Sequence, residues 1–238
     1  MKGQRDIRFH QGWAFTLIEL LVVIAVIAVV SAMVLPALCR ARTATKAISC
    51  RAHFKQWGLA TLIYVADTDD YLPPEGKGSP TAADLTNPAY HAWYVDLPEL
   101  LRAPRYAAMP WRTNASIDPG ESIWICPGNP RRCNASSLAN NLFHYCLNEN
   151  INGTGTNDNP RMKFVALRRP VQTVWMFDSK NLPAIGSANF VHTNLHNRGA
   201  HFLFLDGHVA RFRNVEYWDS ATGKGITNNP QLIWFPDH

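Results

Sequence analysis

The sequence predicts an α+β protein, with one long N-terminal helix packed on a mostly antiparallel β-sheet domain. Three observations lead there. Phe15 to Leu38 is an unbroken apolar run whose one charge is Glu19. Helix-forming residues then continue without proline to about Ala66. Beyond them come short apolar runs separated by Gly, Pro and Asn clusters, two of which meet at Asp206-Gly207.

The apolar run comes first because it limits the rest. A helix of about 24 residues rises about 36 Å, enough to cross a hydrocarbon core of about 30 Å. It shows no polar face, so it reads as a membrane-spanning helix and not as an amphipathic one. A secretory signal core would be shorter, about 7–15 residues, and would precede a small-residue cleavage site. Glu19 sits one turn from the start, where a carboxylate in a spanning segment marks function. Residues 1–14 carry Lys2, Arg5, Arg8 and Asp6 and read as a basic leader.

The helix is expected to span 15–66, with about 15–38 in the membrane. Pro36 should kink it by removing one backbone hydrogen bond. Ile48, Phe54, Leu59, Leu62, Ile63 and Val65 supply apolar contacts, and Gly58 is a weak point. Asp67-Thr68-Asp69-Asp70 and Pro73-Pro74 end the helix. The acidic run invites Ca²⁺ or is a solvated helix end.

Residues 67–238 are ample for one globular core. Residues 75–120 read as irregular, with short elements near Tyr90–Val95 and Leu97–Leu101. Strands are expected at Ser122–Pro127, Phe143–Asn148 and Thr173–Asp178, and 152–160 reads as a polar loop. His201–Phe212 predicts a hairpin with a two-residue Asp206-Gly207 turn. That register pairs Leu205 with His208 and Phe204 with Val209. Both faces are mainly apolar, which predicts a central hairpin.

The net charge is +5, and removing the leader would leave +3. No basic patch interleaved with aromatics appears, so nucleic acid is not an expected partner. Five cysteines are present. Cys126, Cys133 and Cys146 share one loop-rich stretch, where a disulfide is expected; their spacing does not suit zinc. Cys39 and Cys50 lie about three helical turns apart and cannot bridge each other.

Phe15-Thr16-Leu17-Ile18-Glu19-Leu20-Leu21-Val22-Val23-Ile24, behind a short basic leader, resembles the N-terminal signature of type IV pilins and pseudopilins. Pro36 falls where such helices commonly carry a proline. The resemblance implies that a membrane prepilin peptidase cuts between Ala14 and Phe15 and methylates the new amine. Ala14 stands where the family prefers Gly. It further implies a single-pass protein of a bacterial inner membrane, leader in the cytoplasm and C-terminal domain outside. The helix would bundle with other pilin-like subunits in a type II secretion or type IV pilus system. Glu19 would then pair with a neighbouring subunit's freed amine, as a buried charge requires.

A second resemblance lies at the other end. His196, nine residues, then Asp206-Gly207 is similar to the signature of the prepilin-type processing-associated family. Cys50, Asp70-Tyr71-Leu72-Pro73, Cys126-Pro127, Tyr145 and Asn148 also look like that family. Its members join a pilin-like N-terminus to a globular domain.

The histidines raise the question of chemistry. His192, His196, His201 and His208 gather with Asp178 and Asp206, so Zn²⁺ or Ca²⁺ is a candidate, with His196, Asp206 and His208 as ligands. The structural alternative has His196 hydrogen-bonded to Asp206, bracing the turn. No phosphate loop, nucleophile elbow or paired catalytic acids stand out. A non-catalytic, cofactor-free subunit is therefore expected. The rival readings are a membrane-tethered envelope or polysaccharide-binding protein, with tryptophans such as Trp93, Trp111, Trp124, Trp175, Trp218 and Trp234 stacking on sugars, and a tethered metalloenzyme.

Overall fold

The computed structural model describes residues 16–112, 114, 116–130, 142–151, 162–180 and 183–236. The leader, Ala14, Phe15, Cys133 and the 152–160 loop lie outside them.

Helix α1 is Leu17–Asp67, with Pro36 inside it. The chain divides into two compact units between Arg42 and Thr43, within this helix. In the first unit every described residue is exposed, and the helix is long and apolar enough to cross a membrane. In the second unit the helix gains a buried face. Cys50, Phe54, Trp57, Gly58, Thr61 and Val65 recur at three- and four-residue steps, one stripe of an α-helix. Ile48 and Leu59 fall off that stripe and point to solvent, contrary to their expected packing role.

The helix stops as a left-handed C-cap. Asp69 and Asp70 have positive φ, and the Asp70 N–H donates to the Val65 carbonyl. Asp70 Oδ2 accepts from the Val165 N–H at 2.8 Å, and the Asp70 carbonyl accepts from Phe164 N–H. Asp70 therefore joins the helix end to the segment around Phe164 and is occupied in that role.

Two short helices follow: α2 (Ala82–Thr86), in the stretch expected to be irregular, and α3 (Trp93–Leu100), which spans the short elements expected near Tyr90–Val95 and Leu97–Leu101. Thr81 and Asp84 form a capping box on α2. The strands are β1 (Tyr145–Asn148), β2 (Val174–Asp178), β3 (Ile185–Gly186), β4 (Gly199–Phe204) and β5 (Val209–Arg213). They form one sheet in the order β3-β1-β2-β4-β5, antiparallel except for β1 with β3. Helix α4 (Asn214–Tyr217) leads to a two-stranded sheet of β6 (Trp218–Asp219) and β7 (Lys224–Gly225). Ser122–Pro127, expected as a strand, is a series of turns.

The sheet separates two cores. On one face Leu147, Trp175, Met176, Leu203 and Val209 meet Phe54 and Trp57 of α1 and an aromatic cluster. In that cluster Tyr106 stacks on Phe143 at 4.2 Å, and Trp57 meets Trp93 edge-on. On the other face lie Phe177, Phe202, Phe204, Phe212, Tyr217 and Trp234. A register shift between Val174 and Met176 puts Trp175 and Met176, neighbours in sequence, into the same core.

The hairpin differs from expectation by one residue. Leu203 pairs with Val209 and Phe202 with Ala210, and the Phe204 N–H donates to the His208 carbonyl. The loop is thus Leu205-Asp206-Gly207, three residues with Gly207 at φ 84°. This is the second common hairpin loop, a turn closed by a left-handed glycine. A one-residue slip exchanges faces, so Val209 joins Leu203 in the helix-facing core. Strand β4 is wholly buried, as expected of a central strand, but β5 is the sheet edge and exposes Arg211 and Arg213.

Candidate functional site

Two places collect the residues singled out by sequence. The first is the start of α1. Thr16 Oγ1 and the Thr16 N–H donate to Glu19 Oε2 at 2.7 and 2.8 Å, and the Glu19 N–H donates to Thr16 Oγ1 at 3.2 Å. This is a capping box, in which two polar residues satisfy backbone donors that the helix leaves open. Glu19 thus has a local role within its own chain.

The second is a buried cluster where α1, the turn after residue 125, the end of β2 and the start of β4 converge. Cys50 of α1 is joined to Cys126 by a disulfide, and both are fully buried. This corrects the expected bridge among Cys126, Cys133 and Cys146: Cys126 reaches across the fold to the helix. Cys146 is instead a buried thiol, raised well above its usual pKa by burial and further by the charge of Glu149. Cys39 lies exposed on α1. The Cys126 N–H donates to His144 Nδ1 at 3.0 Å, which holds the turn.

Next to the disulfide, Cys126 Sγ lies 3.5 Å from His196 Nε2. The same nitrogen lies 3.3 Å from Asp178 Oδ2, and His201 Nδ1 lies 3.5 Å from that oxygen. The His201 N–H also donates to Asp178 Oδ2 at 2.8 Å. Burial alone would raise the Asp178 carboxyl; the hydrogen bonds and charges of His196 and His201 outweigh it and hold the group well below the usual carboxylate range. His192 meets this group through its backbone, its N–H donating to the Asp178 carbonyl at 2.8 Å.

His196 is held by an uncommon backbone. His196, Asn197 and Arg198 have φ of 47°, 63° and 59°, three successive left-handed residues. Each such residue costs roughly 1–2 kcal/mol for an L-amino acid. Arg211 Nε and Nη2 donate to the His196 and Asn197 carbonyls at 2.7 and 2.5 Å and hold the turn.

The expected His196–Asp206 contact is absent. His196 faces Asp178, while Asp206 Oδ1 pairs with His208 Nδ1 at 2.6 Å on the exposed hairpin loop. The nine residues between His196 and Asp206 contain β4, which runs about 20 Å at ~3.3 Å per residue. The signature therefore marks the two ends of one strand. The proposed metal set of His196, Asp206 and His208 is divided between them.

The loop end meets the helix. The Gly207 carbonyl accepts from Lys55 Nζ at 3.0 Å. A Cβ at Gly58 would lie 2.9 Å from Leu203 Cδ1 and 3.3 Å from Gly207 Cα. Gly58 is thus the place where two backbones approach, and not merely a weak point in the helix. Tyr145 and Asn148 are also structural. Tyr145 Oη lies 2.9 Å from His53 Nδ1, and Asn148 Nδ2 donates to the Val174 and Trp234 carbonyls.

The cluster does not have the geometry of a nucleophile–base–acid triad. Such a triad uses one imidazole nitrogen for the nucleophile and the other for the acid. Here His196 Nε2 faces both sulfur and carboxylate, and the sulfur is already bonded to Cys50. Of the tryptophans singled out for sugar stacking, Trp93, Trp111, Trp124, Trp175 and Trp234 are buried and Trp218 is half-buried under Lys180. A cleft of about 380 Å³ beside α2 and α3 has charged walls, where His91 pairs with Asp96 at 3.1 Å and Arg105 with Glu99. Comparison with protein-family models, curated proteins and solved structures finds no match to this chain.

Proposed function

We propose that this protein is a non-catalytic, pilin-like or pseudopilin subunit. In this reading a prepilin peptidase cuts before Phe15, and the helix is retained in a bacterial inner membrane. It then assembles laterally with the helices of other pilin-like subunits in a type II secretion or type IV pilus system. The observation that carries the reading is the start of α1, where an apolar, fully exposed helix bears one acid in its first turn. An apolar surface of that size needs lipid or other helices around it.

The disulfide supports an extracytoplasmic domain, since such bonds persist in oxidising compartments. The resemblance residues outside the helix start support a scaffold role. Cys50, Asp70, Cys126, Tyr145, Asn148 and Gly207 each hold one part of the domain to another. No cofactor is assigned by this reading.

Glu19→Ala tests it. The variant should insert in the membrane as wild type does but enter filaments at least tenfold less, read by shearing and immunoblotting. Normal incorporation would remove the role given to Glu19. A tethered envelope-binding protein that never assembles is the second reading; helix-directed crosslinking in the membrane would then give monomer where the first reading gives a ladder.

A further inference from the structure

We propose that Asp178, His196 and His201 form a buried binding site for one zinc-class divalent transition ion, beside the Cys50–Cys126 disulfide. The donor atoms His196 Nε2, His201 Nδ1 and an Asp178 carboxylate oxygen all lie within 4.8 Å of one another, and all three residues are buried.

The spacing favours a metal over a hydrogen-bonded network. Charge-assisted N–H···O bonds run about 2.7–2.9 Å. The two imidazole–carboxylate separations are 3.3 and 3.5 Å. Two donors each about 2.0–2.1 Å from a tetrahedral zinc stand about 3.3–3.4 Å apart. The polar bookkeeping agrees. Asp178 Oδ1 is buried and has no hydrogen-bond partner among the described residues. Orphaned buried groups are rare and call for a partner such as an ion. One carboxylate oxygen and the two imidazoles supply three donors of the type zinc accepts, and a water would complete a four-coordinate site.

The scaffold is built for this convergence. Asp178 ends β2, His201 sits in β4 on the neighbouring strand, and the left-handed turn clamped by Arg211 delivers His196. Gly128 leaves room for the ring, since a Cβ there would lie 2.8 Å from His196 Cε1. Asp206 and His208, at the exposed hairpin loop, take no part.

The test uses the untagged full-length chain in detergent with its disulfide intact, stripped with chelator and titrated with Zn²⁺ or Co²⁺. One equivalent should bind, and Co²⁺ should develop the visible absorption of a four-coordinate site. Asp178→Asn and His201→Gln should each weaken binding at least tenfold, and His208→Ala should leave it unchanged. Zn²⁺ should raise the Tm of the wild type, a readout that does not depend on any variant folding. A wild type that binds no ion and whose Tm does not move with Zn²⁺ overturns the proposal. Binding that is lost in His208→Ala but kept in His201→Gln overturns it too.

Discussion

Gly58 of α1 and Gly207 of the β4–β5 loop lie so close that a methyl group on the first would stand 3.3 Å from the Cα of the second. The contact seats the hairpin on the helix, with Leu203 on one side and the Lys55–Gly207 hydrogen bond on the other. Gly58→Ala gains about 1 kcal/mol of helix propensity but forces Leu203 and the loop to give way, a change that costs about 1–3 kcal/mol in a packed core. The Tm of Gly58→Ala should therefore fall slightly, and that of Gly58→Val should fall further. A raised Tm in both variants would show that the loop yields freely.

The Cys50–Cys126 bond closes a loop with a sequence separation of 76. In the chain-entropy model such a crosslink stabilises by about 4.5 kcal/mol. Replacing both residues with serine, or reducing the wild type, should lower the denaturation midpoint accordingly. Non-reducing peptide mapping should recover residues 50 and 126 in one linked fragment. An unchanged midpoint, or a linked fragment containing Cys146, would contradict the assignment.

Glu75 sets a pH dependence. Its side chain is buried, Oε2 has no hydrogen-bond partner among the described residues, and burial, with the charge of Glu149 added, pushes its carboxyl up from 4.5 to about 7. Between those values the folded chain keeps a proton that the unfolded chain has lost. Stability contributed by this group is therefore full below about 4.5 and falls as pH rises towards 7. Glu75→Gln should stabilise the protein at pH 8 and have little effect at pH 4.5, measured by thermal melts at both. Equal shifts at the two values would show that Glu75 does not titrate in this window.

The elements that local pattern controls were legible in the sequence. The apolar run, the extent of the helix, β1, β2 and the hairpin all follow from short-range periodicity and turn chemistry. Local pattern fails where distant segments choose the partner. Cys126 lies close in sequence to Cys133 and Cys146, yet it bonds Cys50, 76 residues away. Both belong to the resemblance residues, but nothing in the sequence pairs one with the other. His196 lies ten residues from Asp206 but meets Asp178 because β2 and β4 are neighbouring strands. The hairpin slipped by one residue because Asp-Gly fits either a two-residue turn or the end of a three-residue loop, and only Gly207 need be left-handed in the latter.

In the proposed function the helix starting near Phe15 is kept after leader removal and used for assembly. The mature N-terminus, read by mass spectrometry of protein extracted from membranes, tests this most directly. The expected chain begins at methylated Phe15. A chain still beginning at Met1, or a soluble product that has lost residues 15–38, would contradict it.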